Sequence, residues 1–265
     1  MSLATSLSGL KSAQTELDVI AHNIANAETT GFKRSRVAFA DVIAGSISTD
    51  PRTTVGTGST VQAINPNMSS GPIEQTGGAL DVAISGQGFF TTVSQTNGQT
   101  FFTRDGSFSM ESAGFVVDAD GNRLQMIATG GTTPVDAQVP LVSTTTSSPF
   151  AGITIGGDGL ITATFADGSF TTVGHIALAS FVAPGGMKAV GSANLIATGL
   201  SGAPSYGAPG VGAYGTLMPG ALERSNVDIA EELVNLISAQ RFYQANAKAV
   251  DTATQVSQAI INLRS

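Results

Sequence analysis

Residues 228–265 read DIAEELVNLISAQRFYQANAKAVDTATQVSQAIINLRS, a stretch that contains neither glycine nor proline. Asp228 followed by Glu231 fits a capping box, which marks the start of a helix. The pattern predicts a helix of about 35 residues and about 50 Å, a length that favours a coiled coil. Apolar residues recur along one face of this helix at Ile229, Leu233, Leu236, Tyr243, Ala247, Val250, Ala253, Val256, Ile260 and Leu263.

The other end of the chain carries a matching helical pattern over residues 3 to about 26. Its apolar positions are Leu3, Leu7, Leu10, Ala13, Leu17, Ile20 and Ile24. This stripe is narrow, so the helix needs one or two partner helices to cover it. Two helices with narrow stripes still leave apolar surface open when they pair, and we therefore expect neighbouring chains to complete the packing.

The residues between the two helices have a β pattern. Short runs such as ALDVAIS, GFFTTVS and HIALASFVA are separated by turn signals at Asn97-Gly98, Asp105-Gly106, Asp120-Gly121, Asp158-Gly159 and Asp167-Gly168. The predicted fold is mainly β with α, an antiparallel β domain inserted between N- and C-terminal coiled-coil helices. The predicted boundaries are an N-terminal helix at 1–30, a connector at 31–70, the β domain at 71–200, a connector at 201–225 and the C-terminal helix at 226–265, with the two helices forming one inner domain.

Composition excludes several classes of function. The formal net charge is −7 and no run of Lys or Arg is present, so nucleic-acid binding is not expected. The absence of cysteine excludes disulfides and thiolate chemistry. No apolar run reaches the length of a membrane span, and the first residues lack the pattern of a secretory signal. Charged residues make up only 12% of the chain, which leaves the surface poorly protected against association.

No motif with catalytic or metal-binding chemistry stands out. His22 and His175 have no second ligand at metal-binding spacing. The run GQGFF lacks the third glycine of a phosphate loop, and DADGN at 118–122 is better interpreted as a hairpin turn than as a calcium loop. Residue order leaves a Ser-His-Asp site open, but no G-x-S-x-G elbow is present. We expect no catalytic residue, no cofactor and no metal. The phenylalanines at 89, 90, 101, 102 and 108 are spaced as core residues of strands.

Four segments resemble the bacterial flagellar rod and hook axial protein family. They are SLSGLKSAQTELDVIAHNIANAETTGFKRSRVAF at 6–39, GGALDVAISGQGFFTTV at 77–93, FTRDGSFSMESAGFVVDADGNRLQ at 102–125 and GALERSNVDIAEELVNLISAQRFYQANAKAVDTATQVSQAIINLR at 220–264. Together they cover both ends and part of the middle of the chain, somewhat less than half of its residues. His22 departs from the family pattern, in which asparagine is usual.

The resemblance implies a structural subunit and not an enzyme. Such subunits leave the cell through the flagellar type III export apparatus without a cleaved signal, and they assemble as a helical tube around a channel. The terminal helices would form the inner layer. The implied partners are further copies of the same chain, adjacent axial and junction proteins, and the export apparatus. The implied location is the flagellum, either the extracellular hook or the periplasmic rod of the basal body.

Within the family, the segments FADVIAGS, LDVAISGQGFF and the C-terminal ending resemble the hook protein, whereas the short middle of the chain resembles the distal rod protein. We expect the hook, a tubular joint that transmits torque, with the distal rod as the alternative. A soluble β-domain enzyme or a glycan-binding protein is a more remote alternative.

The predicted subunit interface combines the two apolar stripes with the junction NIANAETTGFK at 23–33. Glycine in this junction would allow a positive φ, and the polar side chains of the junction would hold neighbouring subunits in register. The predicted interface residues are Leu3, Leu7, Leu10, Leu17, Ile20, Ile24, Asn23, Asn26, Gly31, Phe32, Ile229, Leu233, Leu236, Tyr243, Val250, Ile260 and Leu263.

Overall fold

The computed structural model describes residues 2–43, 56–128, 131 and 133–262. These residues form two compact units, each built from separate parts of the chain. The helical unit contains the described residues of 1–27, 34–67 and 227–265. The sheet unit contains those of 28–33 and 68–226. The junction at 23–33 is therefore divided, because residues 23–27 belong to the helical unit and residues 28–33 to the sheet unit.

Two α-helices, α1 (Ser2–Ala25) and α2 (Ile229–Asn262), belong to the helical unit. The carboxylate of Asp228 caps α2, since its Oδ1 accepts hydrogen bonds from the backbone N–H groups of Ala230 at 2.8 Å and Glu231 at 3.2 Å. The Glu231 side chain does not complete a capping box, because it accepts a hydrogen bond from Arg34 instead. The helix α1 ends at Ala25, well before Gly31.

The helical unit also contains a long antiparallel hairpin of β1 (Ser35–Ile43) and β2 (Gly56–Pro66). It begins where Ser35 pairs with Pro66, and its register shifts twice, between Ala38 and Phe39 and between Val42 and Ile43. The sequence predicts a connector over 31–70, and part of that segment forms this hairpin; residues 44–55 lie outside the described residues. Alternation is weak in these strands, which explains why the sequence pattern gave no strand signal.

The sheet unit is antiparallel in every described strand pair, and its largest sheet has thirteen strands among the described residues. The main path through this sheet runs β11-β12-β13-β9-β5-β6-β16-β15. The first strands of the unit are β3 (Ile73–Gln75), β4 (Val82–Ser85), β5 (Phe89–Val93), β6 (Thr100–Thr103), β7 (Ser109–Met110), β8 (Val116–Val117), β9 (Arg123–Ala128) and β10 (Pro134–Asp136).

The later strands are β11 (Phe150–Ile155), β12 (Leu160–Phe165), β13 (Phe170–Ile176), β14 (Leu178–Ser180), β15 (Lys188–Gly191), β16 (Asn194–Ile196), β17 (Ser205–Gly207), β18 (Thr216–Pro219) and β19 (Ala221–Glu223). A short 3₁₀ turn at Pro184–Gly186 precedes β15. The segment 201–225, which the sequence predicts as a connector, contains β17, β18 and β19; β18 pairs with β4, and β19 pairs with β3.

The core of the sheet unit consists of large apolar side chains. Phe90 is fully buried and makes an edge-to-face contact with Phe108 at a centroid distance of 5.2 Å. A second cluster surrounds Phe89 and Phe102, which are also buried. Strand alternation places these rings on the covered faces of the sheet. The predicted core role of Phe89, Phe90, Phe102 and Phe108 is confirmed, while Phe101 is only half-buried.

Four of the five predicted turn glycines, Gly98, Gly121, Gly159 and Gly168, have φ between 67° and 80°, the left-handed conformation that glycine tolerates. Gly106 differs. Its φ is not positive. Glycine is required there for a steric reason, because a Cβ atom at position 106 would lie 1.7 Å from the carbonyl oxygen of Val82. The predicted antiparallel β domain between an N-terminal and a C-terminal helix is confirmed.

Candidate subunit interface

The helices α1 and α2 pack antiparallel through small and polar side chains. Near the start of α1, Gly9 faces Asn246, and a Cβ atom at Gly9 would lie 2.6 Å from Asn246 Oδ1. Near its end, Asn23 reaches Glu232. Ala13 and Ala239 are buried between these points. Because small residues occupy the inner faces, the two backbones approach closely and few large apolar side chains are enclosed.

A buried polar network joins the end of α1 to β1 and to the start of α2. The side-chain amide of Asn23 donates to the carbonyl oxygen of Ser35 at 2.9 Å and to Glu232 Oε2 at 3.2 Å. The same side chain accepts a hydrogen bond from the Ser35 N–H at 2.9 Å. Asn23 and Glu232 are each only 1% exposed. This asparagine therefore fixes the position of β1 relative to both helices.

Arg34 supplies the positive charge of this network. Its Nε lies 2.7 Å from Glu232 Oε1, and its Nη2 donates to Glu231 Oε1 at 2.9 Å. The hydrogen bond to Glu231 raises the pKa of Arg34, and the same bond lowers the pKa of Glu231. A buried carboxylate such as Glu232 requires this compensation, since removing one partner of a buried ion pair typically costs about 3–5 kcal/mol.

The hairpin packs on a different face of α1, again through small side chains. Ser12 Oγ and Ser59 Oγ lie 3.0 Å apart, and the Ser59 N–H donates to Ser8 Oγ at 3.2 Å. Gly58 adopts φ of 137°, and a Cβ atom there would lie 2.0 Å from Ser8 Oγ. The strand thus approaches the helix at a distance that only glycine permits.

The large apolar side chains of the helical unit face outward as a consequence. Leu3 and Leu7 of α1 are 45% and 44% exposed, and Leu233 of α2 is 46% exposed. Two helices would normally bury such residues against each other. We refer to the exposed apolar side chains of the two helices as the outer apolar surface; it consists of Leu3, Leu7, Ile229, Leu233, Val234, Ile237, Phe242, Val256, Ile260 and Ile261.

The structure divides the predicted interface residues into three groups. The exposed group is Leu3, Leu7, Ile229, Leu233 and Ile260. The half-buried group is Leu10, Leu17, Ile24, Asn26, Leu236, Tyr243 and Val250. The buried group is Ile20, Asn23, Gly31 and Phe32. Leu263 lies outside the described residues. Their role between subunits stays a prediction.

Several exposed apolar residues were not among the interface residues predicted from the sequence. On α2 these are Val234, Ile237, Phe242, Val256 and Ile261, and on the hairpin they are Phe39, Val42, Ile43 and Ile64. A single stripe was assigned to α2, but its exposed apolar residues spread over a wider arc. Val234 and Ile237 immediately follow the stripe residues Leu233 and Leu236, and this adjacency was the available signal.

Gly31 and Phe32 lie in the sheet unit. The Gly31 N–H donates to the carbonyl oxygen of Glu223 at 2.8 Å, and a Cβ atom on Gly31 would lie 2.3 Å from the amide nitrogen of Asp105. Gly31 also adopts φ of 67°. Gly31 therefore packs against the interior of the sheet unit, and its lack of a side chain is required for this close approach six residues after α1 ends.

A buried ionic cluster in the sheet unit holds this junction. Glu223 is completely buried; it accepts hydrogen bonds from Lys33 Nζ at 2.5 Å, from Arg104 Nη1 at 3.2 Å and from the Gly71 N–H at 2.8 Å. Lys33 Nζ also donates to the carbonyl oxygen of Ser69 at 2.8 Å. Burial lowers the pKa of Lys33 and that of Arg104, while Glu223 opposes both shifts.

The described residues contain no group of three or more His, Cys, Asp or Glu side chains arranged to hold a metal ion. His175 lies on β13, where its Nδ1 is 3.2 Å from the carbonyl oxygen of Asp158. In the DADGN turn, the Asp118 carboxylate accepts hydrogen bonds from the N–H groups of Asp120 and Asn122, which confirms the hairpin turn. Neither helix, over its described length, has the run of apolar residues that a membrane crossing requires.

Three family models match the chain. Residues 3–33 match "Flagella basal body rod protein", residues 83–163 match "Flagellar hook protein FlgE/F/G D1 domain", and residues 218–263 match "Flagellar basal body rod FlgEFG protein C-terminal". The chain is 35% identical to the flagellar basal-body rod protein FlgG of Bacillus subtilis (strain 168), over 99% of this chain and 98% of the relative. The chain belongs to the flagellar rod and hook protein family.

Two further relatives also belong to the flagellar rod and hook proteins. FlgG of Caulobacter vibrioides is 36% identical over 99% of both chains. The flagellar hook protein FlgE of Salmonella typhimurium is 27% identical over the whole of both chains. Members of this family are structural proteins and not enzymes, so this chain is an axial structural subunit of the flagellum.

The comparisons favour the rod proteins over the hook protein, against the sequence-based preference. The C-terminal ending and the segment at 83–93 match models that FlgE, FlgF and FlgG share. These segments identify the family and do not distinguish its members. The short middle of the chain, which resembles the distal rod protein, agrees with this preference.

Proposed function

We propose that this chain is the distal rod protein of the flagellar basal body, a subunit that polymerises helically into a straight drive shaft. The observation that carries this proposal is the extent of the alignments. The alignment with the B. subtilis rod protein spans 278 positions for a chain of 265 residues. The alignment with the hook protein spans 411 positions, so the hook protein contains a large insertion that this chain lacks.

Polymerisation is driven by burial of the outer apolar surface against neighbouring copies. Each of these side chains is already partly covered in one copy, so its complete burial contributes about 1 kcal/mol, roughly half the value for a fully exposed residue. Ten such residues suffice to hold a subunit without covalent links. A contact between different surfaces of identical chains that does not close into a ring produces a helical filament.

Electron microscopy of purified polymers tests the distinction between rod and hook. We expect straight tubes of uniform diameter from the full-length chain. Curved tubes of the same protein would contradict the rod assignment and support the hook. Partners beyond further copies, namely adjacent axial and junction proteins and the export apparatus, follow from the family resemblance and belong to the same proposal.

Polar substitution of the outer apolar surface tests the driving force. The triple variant Leu7→Gln, Leu233→Gln, Ile237→Gln should remain monomeric at concentrations where the wild-type chain sediments as polymer, because three apolar contacts are lost. The control variant Gln14→Ala, Gln240→Ala, Gln244→Ala changes exposed polar positions of the same helices and should polymerise normally. Circular dichroism checks that both variants keep their helices. A triple Gln variant that polymerises like wild type would refute the helix-driven account.

A further inference from the structure

The sheet unit contains a partly polar cavity of about 310 Å³ next to its buried ionic cluster. We call it the Arg104 socket, and its walls are Met68, Gln87, Phe89, Arg104, Phe181 and Val182. Phe181 stands edge-on to Phe89, with ring centroids 6.0 Å apart. Val182 at the rim is 94% exposed, the highest value among the exposed large apolar residues of the described chain. The exposed Val182 and the half-buried Phe181 give this cavity an apolar rim that a side chain of a neighbouring copy could cover.

Arg104 gives the socket an electrostatic preference. Its side chain is only 5% exposed, with Nη1 bound to Glu223 and Nη2 donating to the carbonyl oxygen of Gly86 at 2.9 Å. A third nitrogen of the guanidinium, Nε, is buried and has no hydrogen-bond partner among the described residues. Within the cluster, two cations, Lys33 and Arg104, share the single carboxylate of Glu223. A buried cation with an unused donor favours a carboxylate as its further partner.

The turn between β12 and β13 has the complementary chemistry. We call residues 166–170 the Asp167 turn. Phe170 is 73% exposed, although it is a large aromatic side chain. Asp167 is also exposed, and hydrogen bonds from Ser169 lower its pKa well below the ordinary value, so the carboxylate stays charged. The turn thus presents a phenylalanine ring and a negative charge three residues apart.

The Asp167 turn is held in one conformation. The Phe165 N–H donates to the carbonyl oxygen of Ser169 at 2.9 Å, and the Gly168 N–H donates back to that of Phe165 at 3.0 Å. The Ala166 N–H donates to the carbonyl oxygen of Pro149 at 3.0 Å. A fixed turn loses little conformational entropy when it binds, which favours its use as a contact.

The turn and the socket of one copy lie at opposite ends of two consecutive strands. The strand β13 begins at Phe170 and continues through Ala177, whose N–H donates to the carbonyl oxygen of Gln125, into β14, which ends at Ser180. At about 3.3 Å per residue this run would span at most about 33 Å if fully extended, and the socket residue Phe181 follows it directly. The two features thus lie at opposite ends of one strand run in the same unit.

We propose that the Asp167 turn of one copy inserts into the Arg104 socket of the next copy. The Phe170 ring packs against Phe89 and Phe181, and the Asp167 carboxylate faces the Arg104 guanidinium. Because the joined surfaces differ, the contact is heterologous and repeats along an open assembly. The proposal rests on the proposed function as a polymerising subunit, and it adds a second contact, made by the sheet units, to the contact made by the helices.

Cross-linking of assembled polymer tests this contact directly, since the natural chain has no cysteine. The variant Ala166→Cys, Gln87→Cys places one thiol beside the turn and one at the socket while keeping Phe170 and Arg104. Treatment with a short bismaleimide should give a ladder of covalent multimers on denaturing gels. Each single variant should give at most dimers. The control pair Ala166→Cys, Val211→Cys, with the second thiol at an exposed position of the loop 208–214, should give no ladder.

The critical concentration for polymerisation provides a second measurement. Phe170→Ala should raise it about tenfold or more, the loss expected for an aromatic anchor at an interface. Val211→Ala, which also truncates an exposed apolar side chain of the sheet unit, should leave it unchanged within about twofold.

The outcomes separate this proposal from the proposed function. Polymer that forms without the ladder, together with an unchanged critical concentration for Phe170→Ala, would overturn the contact and leave the rod assignment in place. A wild-type chain that forms no polymer would overturn both. A ladder combined with a raised critical concentration supports the contact.

Discussion

The two units of this chain place their large apolar side chains in opposite ways. In the sheet unit, Phe90, Phe102, Phe165 and Leu124 are almost completely buried. Among the described residues of the helical unit, the buried apolar ones are Ala13, Ile20, Ala27 and Ala239, and most of the leucines and isoleucines are half-buried or exposed. The sheet unit therefore completes its core within one copy, whereas the helical unit keeps its largest apolar groups available for neighbours.

The same difference appears in the charged groups. Each unit encloses one glutamate almost completely, Glu223 in the sheet unit and Glu232 in the helical unit. Glu223 is surrounded by Lys33, Arg104 and the Gly71 N–H. Glu232 is held by Arg34 and Asn23, close to the surface on which Glu231 remains exposed. Ionic contacts fix the chain in both units, but only the sheet unit adds a large apolar core to them.

The largest expected effect is on the sheet core. Phe90→Ala should lower the free energy of unfolding of the sheet unit by about 3–5 kcal/mol, because it leaves a cavity beside Phe108. Urea unfolding, monitored through hydrogen exchange of the β5 amides, measures this loss of unfolding free energy. Phe170→Ala, which removes the same ring from an exposed position, should change it by less than about 0.5 kcal/mol. Equal losses in the two variants would mean that the sheet unit has no closed core.

A smaller effect should come from enlarging a side chain between the two helices. Ala13→Leu should lower the free energy of unfolding of the helical unit by about 1–3 kcal/mol, because Ala13 is fully buried on the face that Gly9 turns toward α2. Ala4→Leu, on the exposed surface of the same helix, should be nearly neutral. Hydrogen exchange of the α1 amides checks both variants. Tolerance of leucine at position 13 would refute close packing through small residues.

The smallest expected effect is the acid dependence of the ion pair at the start of α2. The pKa of Glu231 is lower in the folded chain than its ordinary value of 4.5, chiefly through its hydrogen bond with Arg34. The stabilisation is therefore complete above that value and is lost as the pH falls through the folded-state pKa. Thermal unfolding of wild type and Glu231→Gln should differ slightly at pH 7 and converge in acid.

Substitution of the buried glutamate on the same helix provides a reference for the exposed ion pair. Glu232→Gln leaves Arg34 with a neutral buried neighbour, so its destabilisation should exceed that of Glu231→Gln at pH 7. If the difference in thermal stability between wild type and Glu231→Gln grew as the pH fell, the result would contradict the direction of the pKa shift of Glu231.

Much of the fold was predictable because it follows from local patterns. The Gly- and Pro-free run after Asp228 predicts α2, and the Asn-Gly and Asp-Gly pairs predict most of the hairpin turns. The hairpin of β1 and β2 was missed because its strands alternate poorly. The family was recognisable from terminal motifs, but its member was not, since those motifs are common to the rod and hook proteins.

Two amphipathic helices around a β domain, the lack of a recognisable catalytic motif and the flagellar family all follow from the sequence, because periodicity and motifs are properties of neighbouring residues. The side of each helix that faces inward depends on the tertiary packing. This packing placed Gly9 and Ala13 between the helices and left Leu3 and Leu7 outside. It also paired Lys33 with Glu223, 190 residues away. Contacts of this kind depend on close approach between distant segments, and no local pattern encodes them.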